Sequence, residues 1–325
     1  MRIVRYHRYG PPEVLQVDET DKPRPGPGMV RLRTEAIGIN FAALQERAGI
    51  FYHHTAEPPA SPGGDVVGYV DALGPGTTGA RIGDRVASII FKDSMADYVI
   101  ARARDLIPVP AEMDAGQATM LSSPGQVGLE VIKAARIEPG ETVLVHAAAG
   151  AIGHLVVQMA KVFGAGTVIA AAASEAKLAF ARDLGADLGV DYSKPDWADR
   201  VRELTGGRGV DVVLDSVGAD ITGQSIALLK PYGRLVFYGS AAGGKELPTL
   251  SMEDIAGVRY VTHFTMAAID GDLEAIEEGA RIVSELILSG KVRAVVHSEL
   301  PLTEAAKAHQ LMEERTQLGR VVLLP

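Results

Sequence analysis

The segment that most constrains the fold is an apolar strand that runs directly into a turn of small residues and then a helix. It spans Val143–Lys161, with the sequence VLVHAAAGAIGHLVVQMAK, and its turn places Ala147, Gly150 and Gly153 three residues apart. Small residues let the backbone approach a pyrophosphate, and the helix start supplies free N–H groups and a partial positive charge. The segment therefore predicts a dinucleotide-binding turn, and a purely structural turn is the alternative. The predicted contacts are Ala147, Gly150, Ala151, Ile152 and Gly153.

Apolar strands alternate with helical patterns on both sides of this turn, from about residue 123 onward. Uninterrupted apolar strands separated by helices indicate a doubly wound parallel sheet, so we predict a Rossmann domain over residues 123–263. The predicted strands are Thr142–His146, Val168–Ala172, Leu188–Asp191, Asp211–Asp215, Gly233–Tyr238 and Arg259–His263.

The regions on either side of this domain have a different sequence pattern. Residues 1–122 carry short β-like runs, such as Val30–Thr34, Asp65–Val70 and Arg85–Phe91, separated by Gly- and Pro-rich turns. This pattern is typical of a compact, mostly β domain. The tail, 264–325, contains two helical patterns, a β-like segment over Val292–Leu300 and a final strand over Arg320–Leu324, and we expect it to return to the first domain.

The end of the second Rossmann strand distinguishes between the two nicotinamide cofactors. Enzymes specific for NAD usually carry an acidic residue there to bind the ribose 2′-hydroxyl, but the corresponding position, about Ala172, is apolar. Ser174, Lys177 and Tyr192 can instead donate hydrogen bonds to a 2′-phosphate, so NADPH is predicted. Glu175 is the acid that opposes this reading. The alternatives are a helix N-cap for Ser174, a solvated charge for Lys177 and a core aromatic for Tyr192.

Composition excludes several other classes of protein. The 325 residues carry a formal net charge of -9, which repels nucleic acid and anionic lipid. The N-terminus has no apolar stretch typical of a secretory signal, and no segment is apolar enough to span a membrane, so a cytoplasmic location is expected. The absence of cysteine excludes disulfides and any metal site with thiolate ligands.

Several motifs, in the same order nearly from end to end, resemble those of the zinc-independent, zeta-crystallin-like quinone oxidoreductases of the medium-chain dehydrogenase/reductase superfamily. They are Gly38–Phe41, Pro62–Asp65, Ile82–Val86, the HAAAGAIG turn, Leu204–Val213, Asp215–Gly218 and Gly319–Pro325. The resemblance implies a GroES-like substrate domain split around a Rossmann domain, a cleft between them, and a homodimer formed through the Rossmann sheets. It also implies hydride transfer from NADPH to a quinone or to the β-carbon of a conjugated carbonyl.

The resemblance further implies that no zinc is held. Zinc-dependent relatives use Cys, a His-Glu pair and a third ligand, whereas this chain has Asn40, Gly64–Asp65 and Ser123 at the matching positions. Only Asp65 could ligate metal, and one carboxylate does not make a zinc site. His53–His54, near Glu57, are read as a polar loop rather than metal ligands.

Residue roles carried over from the family give the remaining site predictions. Asn40 would face the nicotinamide and hydrogen-bond a water or the substrate carbonyl; its alternative role is to cap the helix Phe41–Arg47. Arg320 would approach the cofactor from the tail, or be an exposed charge. Tyr52 and His263 are candidate proton donors, with a structural role as the alternative for His263. The residues placed beside the nicotinamide end are Ser216, Val217, Gly218, Tyr238, Gly239 and Ser240.

The substrate half departs from the family pattern. An Asp and a Tyr expected after the Asn are Ala43 and Gln45, a second Tyr is Phe51, and a Thr near the nicotinamide is Val127. These changes leave the acceptor and the proton donor open. An enoyl-thioester or biosynthetic enone reductase is the enzymatic alternative, and an NADPH-binding sensor or structural protein without turnover is the alternative from another class.

Overall fold

A computed structural model describes residues 1–50, 56–242 and 247–325. The chain divides into two compact units. The first comprises Met1–Pro124, Gly271–Leu288 and Val295–Pro325, and the second comprises Gly125–Asp270 and Ser289–Ala294.

The strands and helices follow one another along the chain with these bounds. The strands are β1 (Arg2–Tyr6), β2 (Leu15–Glu19), β3 (Met29–Gly38), β4 (Gly64–Leu73), β5 (Arg85–Ile90), β6 (Tyr98–Arg102), β7 (Ile107–Pro108), β8 (Thr142–Val145), β9 (Thr167–Ala172), β10 (Leu188–Asp191), β11 (Val210–Asp215), β12 (Leu229–Phe237), β13 (Tyr260–His263), β14 (Val296–Pro301) and β15 (Arg320–Leu324). The helices are α1 (Phe41–Ala48), α2 (Ala115–Ala118), α3 (Ser123–Ala135), α4 (Gly153–Val162), α5 (Glu175–Asp183), α6 (Trp197–Leu204), α7 (Asp220–Ile226), α8 (Leu273–Leu288) and α9 (Ala305–Glu313).

The second unit is built on a parallel sheet with the order β10-β9-β8-β11-β12-β13. Numbered within the sheet, this is the order 3-2-1-4-5-6 of a doubly wound dinucleotide-binding fold. The strand β9 is almost wholly buried, as its uninterrupted apolar sequence TVIAAA requires for a strand covered on both faces. The predicted doubly wound sheet is confirmed. All its strands end at one edge, which lies next to the turn after β8.

The first unit contains a largely antiparallel sheet, ordered β14-β15-β3-β4-β5-β7, with β6 also pairing with β3. The last strand of the chain, β15, pairs antiparallel with β3, so the tail returns to this unit as expected. The strand β3 is longer than the predicted Val30–Thr34, because buried Ala36 and Ile37 continue it to Gly38. This extension brings Gly38 opposite Asp65 of β4.

A short piece of the tail, Ser289–Ala294, packs with the second unit. The side chain of Gln158, on α4, accepts a hydrogen bond from the Arg293 backbone N–H at 2.7 Å and donates to its carbonyl at 3.0 Å. The Gln158 amide therefore pairs with the backbone of Arg293 as a neighbouring strand would. The strand β14 begins only at Val296, whereas the prediction placed its start at Val292. In the described ranges, no helix combines the length and apolarity needed to cross a membrane.

Candidate functional site

The turn between β8 and α4 has the close packing that its small residues predict. A Cβ atom added to Gly153 would lie 2.1 Å from the carbonyl oxygen of Ala147, so only glycine fits at the first position of the helix. Ala147 itself has a φ of 48°, a left-handed conformation that non-glycine residues seldom adopt. The turn is held in this shape by a hydrogen bond from the Gly150 N–H to the Ala147 carbonyl at 2.9 Å.

The same turn leaves hydrogen-bond donors open at the head of the helix. Within the described chain, the backbone N–H groups of Ala151 and Ile152 have no acceptor, and the N-cap residue Ile152 has no side chain able to cap the helix. Donors of this kind, at the positive end of a helix, fit a pyrophosphate. The residues present therefore fit the phosphates of a dinucleotide.

Two loops at the carboxyl ends of β11 and β12 are bound together beside this turn. Buried Asp215 accepts hydrogen bonds from the N–H groups of Val217 and Gly218 at 2.8 and 3.2 Å, and from the Thr222 hydroxyl at 2.6 Å. The N–H of Tyr238 donates to the Asp215 carbonyl at 2.8 Å.

The second loop continues this pairing. Ala241 and Ala242 donate to the carbonyls of Ser216 and Val217 at 3.1 and 2.9 Å. A Cβ atom on Gly218 would lie 3.3 Å from the Ser240 hydroxyl, and one on Gly239 would lie 3.2 Å from the Ser216 carbonyl. The six residues predicted for the nicotinamide end are thus brought together, while their contact with a cofactor stays a prediction. Sequence reasoning missed Asp215 as the residue that shapes the first loop, although it lies at the end of an apolar strand.

The predicted 2′-phosphate residues lie at the carboxyl ends of β9 and β10. Ser174 is the N-cap of α5, and its hydroxyl oxygen accepts from the Lys177 N–H at 3.4 Å, so the capping alternative is observed and the hydroxyl hydrogen can still donate. Tyr192 follows β10, donates its N–H to the Ala172 carbonyl at 3.1 Å, and packs against the core of the unit. Glu175, the opposing acid, forms an ion pair with Arg182. Phosphate binding by these residues stays a prediction.

His146 lies at the end of β8 and is fully buried. Burial lowers the pKa of its imidazole, partly opposed by the charge of Asp215, so the ring is neutral. Its Nε2 lies 2.8 Å from the Ser225 hydroxyl, and the edge of the ring packs on Trp197 at 5.3 Å between centroids. These contacts give it a structural role under the glycine turn.

In the first unit, Asn40 belongs to a buried polar network. It occupies the N-cap position of α1, but its side chain makes no capping hydrogen bond. Its Oδ1 instead accepts from Nη1 of Arg320 at 2.8 Å. The capping alternative for the Asn40 side chain is therefore wrong.

Arg320 and Asp65 form the centre of that network. Their side chains are 1% and 0% exposed, and Nη2 of Arg320 donates to Oδ2 of Asp65 at 2.5 Å. The alternative of an exposed charge at Arg320 is therefore wrong; its approach to the cofactor stays a prediction. Burial lowers the pKa of the guanidinium, and the Asp65 carboxylate opposes that shift. Because arginine keeps its proton in proteins, the two side chains form a charged pair.

The carboxylate of Asp65 is saturated by donors. Its Oδ1 accepts from the Ser122 hydroxyl at 2.7 Å and the Ser123 N–H at 2.8 Å, and its Oδ2 also accepts from the Ser123 hydroxyl at 2.8 Å. Of the residues at the zinc-ligand positions of the family, Asp65 thus binds Ser123 and Arg320, and Asn40 binds Arg320. Among the described residues, no group of three or more His, Cys, Asp or Glu side chains could hold a metal.

The two candidate proton donors remain untested. His263 is exposed at the end of β13, with its ring 4.9 Å from that of Phe237 between centroids. Tyr52 lies outside the described residues, as do Phe51 and His53–His54.

The comparisons with known proteins agree with this architecture. Residues 26–111 match the family model described as the alcohol dehydrogenase GroES-like domain, and residues 151–283 match the one described as zinc-binding dehydrogenase. The chain is 36% identical to a 2-haloacrylate reductase of Burkholderia sp, over 98% of the chain and 97% of that protein. It is 33% identical to a quinone oxidoreductase of Pseudomonas aeruginosa, over 99% of both.

A solved structure gives the same result. The Escherichia coli quinone oxidoreductase complexed with NADPH has a TM-score of 0.93 and 29% identity, over 100% of both chains. The predicted GroES-like and Rossmann fold is confirmed, as is the predicted enzyme class of oxidoreductase. The chain belongs to the zeta-crystallin-like quinone oxidoreductase branch of the medium-chain dehydrogenase/reductase superfamily.

Proposed function

We propose that the chain is an NADPH-dependent reductase that transfers hydride to a quinone or an α,β-unsaturated carbonyl without a metal. The observation that carries this proposal is the pair of open backbone N–H groups, of Ala151 and Ile152, at the head of α4. The relative from E. coli solved with NADPH supports the choice of cofactor.

Each group of residues has a defined task in this reaction. Bound NADPH supplies a hydride from C4 of its dihydronicotinamide ring. The turn at Gly150–Gly153 binds the pyrophosphate, and the loops shaped by Asp215 orient the nicotinamide end. Asn40 donates an N–H to the acceptor's carbonyl oxygen, where negative charge grows as hydride reaches the β-carbon or the quinone. A proton from water, Tyr52 or His263 then completes the reduction.

The charge around Asn40 favours uncharged acceptors. Arg320 is the cation that contacts Asn40, and its charge is matched by Asp65. A carboxylate-bearing acceptor would therefore gain little attraction there, whereas a neutral carbonyl oxygen needs only the amide donor.

Mixing the protein with NADPH and a panel of acceptors tests this function, with the absorbance of the reduced cofactor as the readout. We expect quinones and enones to be consumed faster than 2-haloacrylate, which carries a carboxylate. Faster turnover of an enoyl thioester would favour the biosynthetic alternative. Tight NADPH binding with none of the acceptors consumed would favour the sensor and contradict the proposal.

Lys177→Ala tests the proposed contact with the 2′-phosphate. Loss of a charge-assisted hydrogen bond is expected to raise the Kd for NADPH by about 10- to 100-fold and to leave the Kd for NADH nearly unchanged. Fluorescence titration measures both constants. Lys161→Ala is the matched control, because Lys161 lies at the far end of α4 and pairs with Asp187 at 3.0 Å. An equal rise for both cofactors in Lys177→Ala would remove Lys177 from the phosphate site.

We also propose that two copies of the chain form a dimer through β13. This strand ends the parallel sheet, and no other strand of the described residues pairs with its outer edge. The surface around it exposes Met252, Val258 and Tyr260. An open strand edge with apolar neighbours is suited to pairing with a second copy.

Light scattering with size-exclusion chromatography measures this association. The wild type is expected at twice the chain mass, and the double variant Val258→Glu, Tyr260→Glu at the monomer mass. Ile82→Glu, which changes an exposed apolar residue of the first unit, should remain dimeric. A dimer that persists in the double variant would rule out this edge.

A further inference from the structure

The buried pair of Asp65 and Arg320 has a feature that stability alone does not require. A Cβ atom on Gly38 would lie 2.2 Å from Nη2 and 2.4 Å from Nε of Arg320. Because Gly38 has no side chain, the guanidinium of Arg320 can lie directly against the backbone at the end of β3. In this position the guanidinium contacts both Asp65 and Asn40, and Asn40 lies two residues after the end of β3.

The chemistry of the guanidinium fixes the orientation of Asn40. Arginine has donors only, so it can bind the amide of Asn40 only through the oxygen. The NH2 group must then point away from Arg320. Within the described chain it has no acceptor, and Asn40 is partly exposed. Asn40 thus presents two N–H donors in a known orientation.

The composition makes this position stand out further. Asn40 is the one asparagine in the sequence of 325 residues. Elsewhere, helix N-caps with a side-chain hydrogen bond include Asp114 and Ser174, whose oxygens act as acceptors. An aspartate at position 40 could bind Arg320 equally well but could not donate to an acceptor's oxygen.

We propose that Arg320 and Asp65 are positioning residues that hold the Asn40 amide with its NH2 group toward the acceptor's carbonyl oxygen. The inference rests on the proposed function, since it assigns the source of the donor's orientation in that reaction. Asp65 accepts a hydrogen bond from Nη2 of the guanidinium, and Asn40 accepts one from Nη1. Ser122 and Ser123 hold the carboxylate in turn.

A double-mutant cycle tests this arrangement. Asn40→Ala and Arg320→Met are each expected to lower kcat by about 10- to 100-fold, with the KM for NADPH nearly unchanged. The double variant should be no slower than Asn40→Ala, because an arginine that acts through Asn40 has nothing left to orient. If the kcat of the double variant falls by the product of the two single losses, the proposal is overturned.

The matched control is Arg85→Met in the same unit. Arg85 is 13% exposed, pairs with Glu35 at 2.8 Å and donates to the carbonyls of Pro110 and Met113. Its loss removes a mostly buried guanidinium without touching Asn40. We expect a lower unfolding temperature and an unchanged kcat. A kcat loss equal to that of Arg320→Met would mean that general destabilisation explains both.

A second readout needs neither turnover nor cofactor. Protein labelled with ¹⁵N-asparagine has a single labelled side-chain amide, that of Asn40. Its NH2 signals should shift in Arg320→Met and in Gly38→Ala, which displaces the guanidinium but keeps its charge, and should not shift in Arg85→Met. Unmoved signals in both variants would overturn the proposal.

The outcomes separate this inference from the proposed function. A wild type that consumes no acceptor contradicts the function, and the catalytic use of Asn40 with it. Suppose instead that the wild type consumes an acceptor. If the rate losses of Asn40→Ala and Arg320→Met then multiply, or if the Asn40 amide signals do not shift in the variants, only the positioning role is contradicted.

Discussion

The ion pair between Asp65 and Arg320 is the interaction on which the substrate half of the molecule depends. Removing two charges from water costs several kcal/mol for each ion, and the cost is offset only when the remaining hydrogen-bonding groups are well satisfied. Asp65 meets this condition with four donors, whereas Nε of Arg320 is buried with no hydrogen-bond partner among the described residues. The pair joins residues 255 positions apart, so it ties the last strand to β4 and to the start of α1. Removing one partner would leave the other charge buried and unpaired.

The two units are proposed to bind the cofactor's pyrophosphate and the acceptor's carbonyl oxygen with different kinds of hydrogen-bond donor. In the second unit, the proposed phosphate site is made of backbone N–H groups at the head of α4, in a turn of small residues. In the first unit, the charge of Arg320 is matched by Asp65, and the proposed donor is the neutral amide of Asn40. This division suits a reaction in which a dianionic pyrophosphate stays bound throughout the hydride transfer, while negative charge on the acceptor is only transient.

Much of the fold could be predicted from the sequence, because local patterns decide it. The strands β8 and β9 are nearly continuous apolar runs, and the predicted ends of β10, β11 and β15 match or lie within one residue of the structure. The residues of the nicotinamide-end loops could be listed for the same reason, since each follows a strand end. The glycines of the turn after β8 were also identifiable, because a strand and a helix enclose them.

The network around Asn40 could not be predicted, because it depends on contacts between distant segments. No residue next to Arg320 in the sequence predicts that its side chain is buried. The space left by Gly38 and the carboxylate of Asp65 accommodate the guanidinium. The sequence predicts Asn40 as a candidate site residue, and that stays a prediction; the structure adds that its oxygen accepts a hydrogen bond from Arg320. The signal in the sequence that pointed to Asn40 was the family motif Gly38–Phe41.

The central claim is that an internal ion pair, rather than a metal, organises the site around Asn40. The most direct test is to measure NADPH oxidation with the best acceptor before and after exhaustive dialysis against a chelator, with the metal content of the protein determined in parallel. The account predicts the same rate in metal-free protein and no gain on adding Zn²⁺. Loss of activity on chelation, restored by Zn²⁺, would contradict it.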